Sequence, residues 1–226
     1  MRKKIFDYYH SYLVRKSSFD DDDYYEMPLI GNKKIDLRIE LLSFKKIKYC
    51  HENKDNKFIH FYMYDECFTT LLNHAEKYID TFREYAGIIS PDFSVYRDMP
   101  IMVQSMNTYY NRAVGSFFEN RGITVIPNIR WGDERSYKFA FNGIGNNKVV
   151  AIGTHGCMKR KMEKQIFSKG LGEMLYRLRP ERVIVYGAMP QDVFGKYKND
   201  TEFIQFDSDF SISRSDRKKG LKWEQV

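Results

Sequence analysis

Three short segments concentrate the side chains that could do chemistry. Ser90-Pro91-Asp92-Phe93-Ser94 carries a single carboxylate, Asp92, several residues ahead of Pro100, where a helix can start. That distance argues against Asp92 being the helix cap and makes it a candidate general base or metal ligand. Asn128-Ile129-Arg130-Trp131-Gly132-Asp133 collects four functional types in six residues. Arg130 can grip phosphate or carboxylate through paired N–H groups, Trp131 offers a stacking face, and Asn128 and Asp133 can read polar groups. Asp133 shares with Asp92 the role of candidate base. A structural turn in which Trp131 plugs the end of a sheet accounts for the same residues equally well.

The third segment is Gly153-Thr154-His155-Gly156-Cys157-Met158-Lys159-Arg160-Lys161, a strand-to-helix loop. His155 is the natural acid or base near neutral pH, although a hydrogen-bonded structural imidazole is the commoner use. Lys159, Arg160 and Lys161 crowd positive charge against the positive end of the following helix, at a cost of about 0.3–1 kcal/mol each. A phosphate bound there, with Thr154 beside it, would offset that cost and use free backbone N–H groups. Arg112, on the helix after Pro100 with Asn107 and Asn111, could reach a ligand from beneath; a solvated face is the simpler reading. Neither GxxxxGK[ST] nor GxGxxG occurs, so no standard nucleotide loop is present. Cys50, Cys67 and Cys157 form no CxxC pair and read as reduced thiols. The five histidines are scattered, without metal-ligand spacing; the residues name no cofactor and leave a metal site gathered from distant positions as the minor alternative.

These segments need elements to hold them. Ile35–Leu41 alternates apolar and charged residues, as a half-exposed strand does. Apolar runs at 58–64, 88–93, 123–126, 149–152, 182–186 and 203–206 predict further strands. Between them, apolar stripes at three- and four-residue spacing predict helices over 67–82, from Pro100 towards Gly122, and over 162–178. Alternating strand and helix implies βαβ units: an α/β fold with a mainly parallel sheet or partial barrel. In such sheets ligands bind beyond the carboxyl ends of the strands. The three segments fall just there. Asp20-Asp21-Asp22-Asp23 reads as a surface loop within an irregular N-terminal extension over 1–57, followed by an α/β domain over 58–210 and a basic tail over 211–226.

The chain has 226 residues and a net charge of +7. Residues 158–182 carry eight basic against three acidic side chains, and 214–226 five against two, which favours phosphate-bearing partners. No apolar run is long enough to span a membrane, and no apolar signal core follows the basic start; a cytoplasmic location and no membrane partner are expected. Two functions are compatible with this. One is an enzyme or binding protein for a phosphorylated ligand, a nucleotide or nucleic-acid end, at the strand ends. The other is a non-catalytic factor that binds nucleic acid or a host protein through the basic helix and tail.

Several segments resemble the family DUF4417: His60-Phe61 with Asp65-Glu66, Ser90-Pro91-Asp92-Phe93-Ser94, Tyr110-Asn111-Arg112-Ala113, Val125-Ile126-Pro127 with Trp131-Gly132-Asp133, and Val185-Tyr186-Gly187. The resemblance covers about 58–190. It implies a phage, plasmid or other mobile-element setting and adds weight to Asp92, Arg112, Asn128 and Trp131. It implies no particular reaction.

Overall fold

The computed structural model describes residues 7, 9–31, 35, 39–145 and 149–212. Among these, seven strands run parallel in two ladders. The first orders β1 (Glu40–Ser43), β2 (Lys57–His60), β3 (Gly87–Ile89) and β4 (Val125–Ile126) side by side. The second orders β5 (Val149–Gly153), β6 (Arg182–Tyr186) and β7 (Glu202–Phe206). The chain leaving β4 stitches the two together: the Ile129 amide donates to the Ala151 carbonyl at 2.8 Å, and the Ala151 amide to the Pro127 carbonyl at 2.9 Å. Strand order therefore follows chain order throughout.

The sheet is strongly curled. In a flat sheet β2 and β6, four places apart, would lie roughly 19 Å from each other at the usual strand spacing. Instead the rings of His60 on β2 and Tyr186 on β6 are 4.6 Å apart. Phe58, Ile89, Ile126, Val149, Ala151 and Ile184, joined by Leu41 and Phe206, bring all seven strands into one interior cluster. This is a partial barrel. Alternate residues face outward, as the strand repeat demands: Ile59, Phe61, Ile88 and Val125 pack on the helices of the first half, and Val150, Ile152, Val183 and Val185 on those of the second. No ladder joins β1 to β7 among the described residues.

The crossover helices are α1 (Thr70–His74) and α2 (Ile79–Arg83) between β2 and β3, α3 (Ile101–Glu119) between β3 and β4, and α4 (Lys161–Leu178) between β5 and β6; α5 (Gln191–Phe194) is one short turn before β7. The single helix expected over 67–82 is in fact broken by 3-10 turns at 65–67 and 75–78. The cause is Tyr12. Its hydroxyl accepts from the Ala75 amide at 3.1 Å and donates to the Leu71 carbonyl at 3.4 Å, inserting between groups that a continuous helix would pair directly. The burial stripe survives: Phe68, Leu71, Ala75 and Phe82 are all in the core. The strand expected at 35–41 is seen from Glu40 onward, and residues 36–38 lie outside those described. The domain boundary expected at 57/58 falls inside β2, which pairs with β1 along its whole length. Leu13, Met27 and Ile30 are also buried in the main clusters.

Candidate functional site

At the carboxyl end of the barrel the last inward layer is polar. Asp92 follows β3, and Asn128 and Arg130 follow β4. The Arg130 Nη1 donates to Asp92 Oδ2 at 2.6 Å. The Asn128 Nδ2 donates to Asp92 Oδ1 at 2.8 Å, and the Tyr62 hydroxyl donates to Asn128 Oδ1 at 2.9 Å. One chain of polar contacts thus runs from the end of β2 through β4 to the β3 loop. Burial pushes the Asp92 carboxyl above the ordinary carboxylate range, against the pull of Arg130 and Asn128. Burial is the largest single influence on Arg130 and opposes its charge, but Asp92, helped by Cys157, Tyr96 and Asp65, more than offsets it, and the net shift of the guanidinium pKa is upward. Among the described residues Asp92 is the hydrogen-bond acceptor of Arg130, whose other N–H groups are neither bonded to protein nor sealed from solvent. They open onto a cleft.

That cleft has two adjoining lobes, which share Tyr96, Arg130, Gly153, His155 and Gly156. One lobe, about 350 Å³, lies between the β3 and β4 loops and the start of α4, with Trp131, Cys157, Arg160 and Phe167 in its wall. The other, about 540 Å³, lies over the barrel mouth between Tyr62, Tyr64, Tyr186 and Phe210. Gly153 lets the Tyr62 ring lie close against β5, because a Cβ there would come within 2.9 Å of it. That ring stacks on Tyr186 with centroids 4.5 Å apart. Beneath them His60 is 2% exposed and accepts a hydrogen bond at Nδ1 from the Tyr62 amide. Burial depresses its pKa to about 4, so it is neutral at physiological pH.

The support beneath the site comes from α3. Asn111 donates to the carbonyls of Pro91 and Asn128, at 2.6 and 3.2 Å, and accepts from the Ser90 hydroxyl at 3.0 Å. The Asn128 amide in turn donates to Ser90 Oγ at 2.8 Å. Arg112, 1% exposed, donates to the carbonyls of Asn128, Ala140 and Asn142 at 3.1, 2.8 and 2.9 Å, and to the Asn111 side chain. Burial lowers its pKa to about 9, still protonated at neutral pH. Asp65 accepts from both the amide and the hydroxyl of Ser94, at 3.0 and 2.9 Å, which pins the loop carrying Asp92 and Tyr96.

Asp92, Arg130, Trp131, His155 and Arg160 therefore meet at the cleft, with Asn128 directly behind the pair. The other candidates lie elsewhere. Arg112 is scaffolding below the site. Asp133 caps the 3-10 turn at 134–138, accepting from the Arg135 amide at 3.1 Å, and is absent from both lobes. Thr154 is buried and its hydroxyl donates to the Tyr186 carbonyl at 3.4 Å. Lys159 and Lys161 are exposed but line neither lobe. Trp131, 8% exposed, packs on Phe167 and Phe141 and supplies a wall rather than an open stacking face. Burial raises the Cys157 pKa and keeps it a thiol. Tyr62, Tyr96 and Tyr186 are the site residues that sequence reasoning missed. No group of three or more His, Cys, Asp or Glu among the described residues is arranged to hold a metal ion, and none of their helices is long and apolar enough to cross a membrane.

Comparison with known proteins adds an affiliation and no reaction. The chain is 31% identical over 136 residues to the Gene 1 protein of Mycobacterium phage L5, covering 60% of this chain and 59% of the relative. It is 31% identical over 131 residues to the Gene 1 protein of Mycobacterium phage D29, covering 58% and 48% respectively. The matched regions thus span about half the length of these curated relatives, and no solved structure matches the chain. The model of the family described as a domain of unknown function (DUF4417) matches residues 19–207. The chain belongs to that phage-associated, uncharacterised family.

Proposed function

We propose that the two-lobed cleft binds a phosphorylated ligand, a nucleotide or a nucleic-acid end, with Arg130 as its phosphate contact. The observation that carries this reading is the guanidinium itself: held by buried Asp92 and still partly exposed, it lines a cleft together with Arg160 at the start of α4. A fixed planar cation beside a helix N-terminus suits a phosphate. Asp92 serves as the anchor of Arg130, because each of its oxygens already accepts a hydrogen bond. His155, exposed on the lip shared by the lobes, is the group able to give or take a proton.

A panel of nucleoside monophosphates and the matching nucleosides, followed by calorimetry, tests the reading. At least one monophosphate should bind while its nucleoside does not. Arg160→Ala, at an exposed position, should weaken it by about 1.5–3 kcal/mol if the charge touches phosphate. Arg130→Lys, which retains a cation for Asp92, should weaken it further. Equal binding of monophosphate and nucleoside, or none by either, rejects the site.

The placement of Lys159 and Lys161 on the exposed surface favours a second reading, a non-catalytic factor contacting a nucleic-acid backbone or a host protein. It requires DNA affinity that falls steeply with salt, and a shallower slope when Lys159, Arg160 and Lys161 are replaced by alanine.

A further inference from the structure

Three large aromatic rings stand in solvent around the mouth of the larger lobe. Tyr64 is 79% exposed, Tyr96 50% and Phe210 61%. They come from three different places on the barrel rim: the loop after β2, the loop after β3, and the helical turn at 209–212 after β7. All three line the same lobe, with Arg130 in its wall. Apolar surface gathered at one opening, rather than scattered singly, marks a binding site. Tyr96 is also held in place: its hydroxyl accepts from Ser94, and the Arg130 guanidinium lies 5.6 Å from its ring centroid. His155 meets the edge of Phe210 with ring centroids 6.1 Å apart.

We infer that the ligand is the phosphorylated end of a single-stranded nucleic acid rather than a free nucleotide, its terminal phosphate at Arg130 and its next bases stacked on Tyr64, Tyr96 and Phe210. The inference rests on the phosphate reading of the cleft and names the substrate class for it. A lone nucleotide has one base and leaves most of the rim in water. Successive unpaired bases each present a flat face, and stacking on aromatic side chains is the usual way proteins hold single strands without reading sequence. A duplex keeps its bases stacked on one another and could not use the rings. Lys45 and Arg130 line the lobe as its cations, with Asp92 already engaged by Arg130.

The test measures four probes by fluorescence anisotropy and competition with the full chain: short oligodeoxythymidylates carrying a 5′-phosphate, a 3′-phosphate or neither, and thymidine monophosphate. One phosphorylated oligomer is expected to bind at least about tenfold more tightly than both the unphosphorylated oligomer and the mononucleotide. Tyr64→Ala and Phe210→Ala should each weaken the oligomer about tenfold, a larger loss than either causes for the mononucleotide, and leave the melting temperature unchanged, since both rings are exposed. Equal affinity for mononucleotide and phosphorylated oligomer overturns the inference while the cleft reading stands. Oligomer binding that ignores the terminal phosphate, or that Tyr64→Ala and Phe210→Ala leave intact, also overturns it. Binding by none of the four overturns the inference, and with it the thymidylate form of the cleft reading.

Discussion

Tyr62 and Asp92 hold opposite ends of the same amide. The Tyr62 hydroxyl donates to the Asn128 oxygen at 2.9 Å, and the Asn128 nitrogen donates to Asp92 at 2.8 Å. The pairing fixes which way Asn128 points, and so fixes the carboxylate that anchors Arg130. Burial also pushes the Tyr62 pKa well above its ordinary value, which keeps it a donor.

Tyr62→Phe should therefore act at a distance. Losing the hydroxyl leaves the Asn128 oxygen unpaired and should lower stability by about 1–3 kcal/mol. Asn128→Leu removes the acceptor as well and leaves Asp92 without its amide, so the same loss should reappear with weaker phosphate binding. Denaturant melts of the two single variants and the double variant measure the coupling. Strict additivity would show that Tyr62 does not work through Asn128.

Arg112→Met should damage folding rather than ligand recognition. The carbonyls of Ala140 and Asn142 would lose the Arg112 donor, while that of Asn128 would keep only Asn111, and a buried unsatisfied group costs about 1–3 kcal/mol each. Arg112→Lys should rescue little, because one ammonium cannot reproduce the forked reach to Asn128, Ala140 and Asn142. Thermal melts decide the matter: a well-folded Arg112→Met that merely loses affinity would place Arg112 in the binding site after all.

The buried imidazole of His60 makes stability depend on pH. Its folded pKa, about 4, lies below the unfolded value near 6.5. The unfolded chain therefore binds the extra proton between those values, and stability is lost as pH falls through that window, by on the order of 3 kcal/mol at most. His60→Asn, which keeps an acceptor for the Tyr62 amide, should flatten the curve of melting temperature against pH there. Parallel curves for the two proteins would contradict the assignment.

Gly170 marks where α4 touches the β4 loop. A Cβ at that position would collide with the indole of Trp131. Gly170→Ala should destabilise by about 1–3 kcal/mol through overpacking and shift the Trp131 fluorescence. Trp131→Leu in the Gly170→Ala background should recover part of the loss; no recovery would mean the helix itself is at fault.

Much of this arrangement was legible in the residues. The buried parallel strands announced themselves as apolar runs, and the polar residues just past their carboxyl ends included Asp92, Arg130 and His155. Periodicity reports burial, however, and not hydrogen bonding. It located the stripe from Phe68 to Phe82 but could not show Tyr12 parting the Leu71–Ala75 pair. Tyr62 and Tyr186 were hidden for a related reason: inside an aromatic strand run, a ring turned into the barrel mouth reads like one turned into the core. Asp133 and Arg112 have the right chemistry at the right place in the chain, and only side-chain direction separates them from the site.

The cleft straddles the joint between the two ladders. Asp92 and Tyr96 belong to the half built from β1–β4, and Gly153, His155 and Arg160 to the half built from β5–β7, with the backbone bridge at Asn128 between them. An occupant touching both walls would work as a rivet across this seam. The opening of one half from the other then becomes the motion that occupancy suppresses, and protection of the Ile129 and Ala151 amides from deuterium exchange is the place to watch it happen.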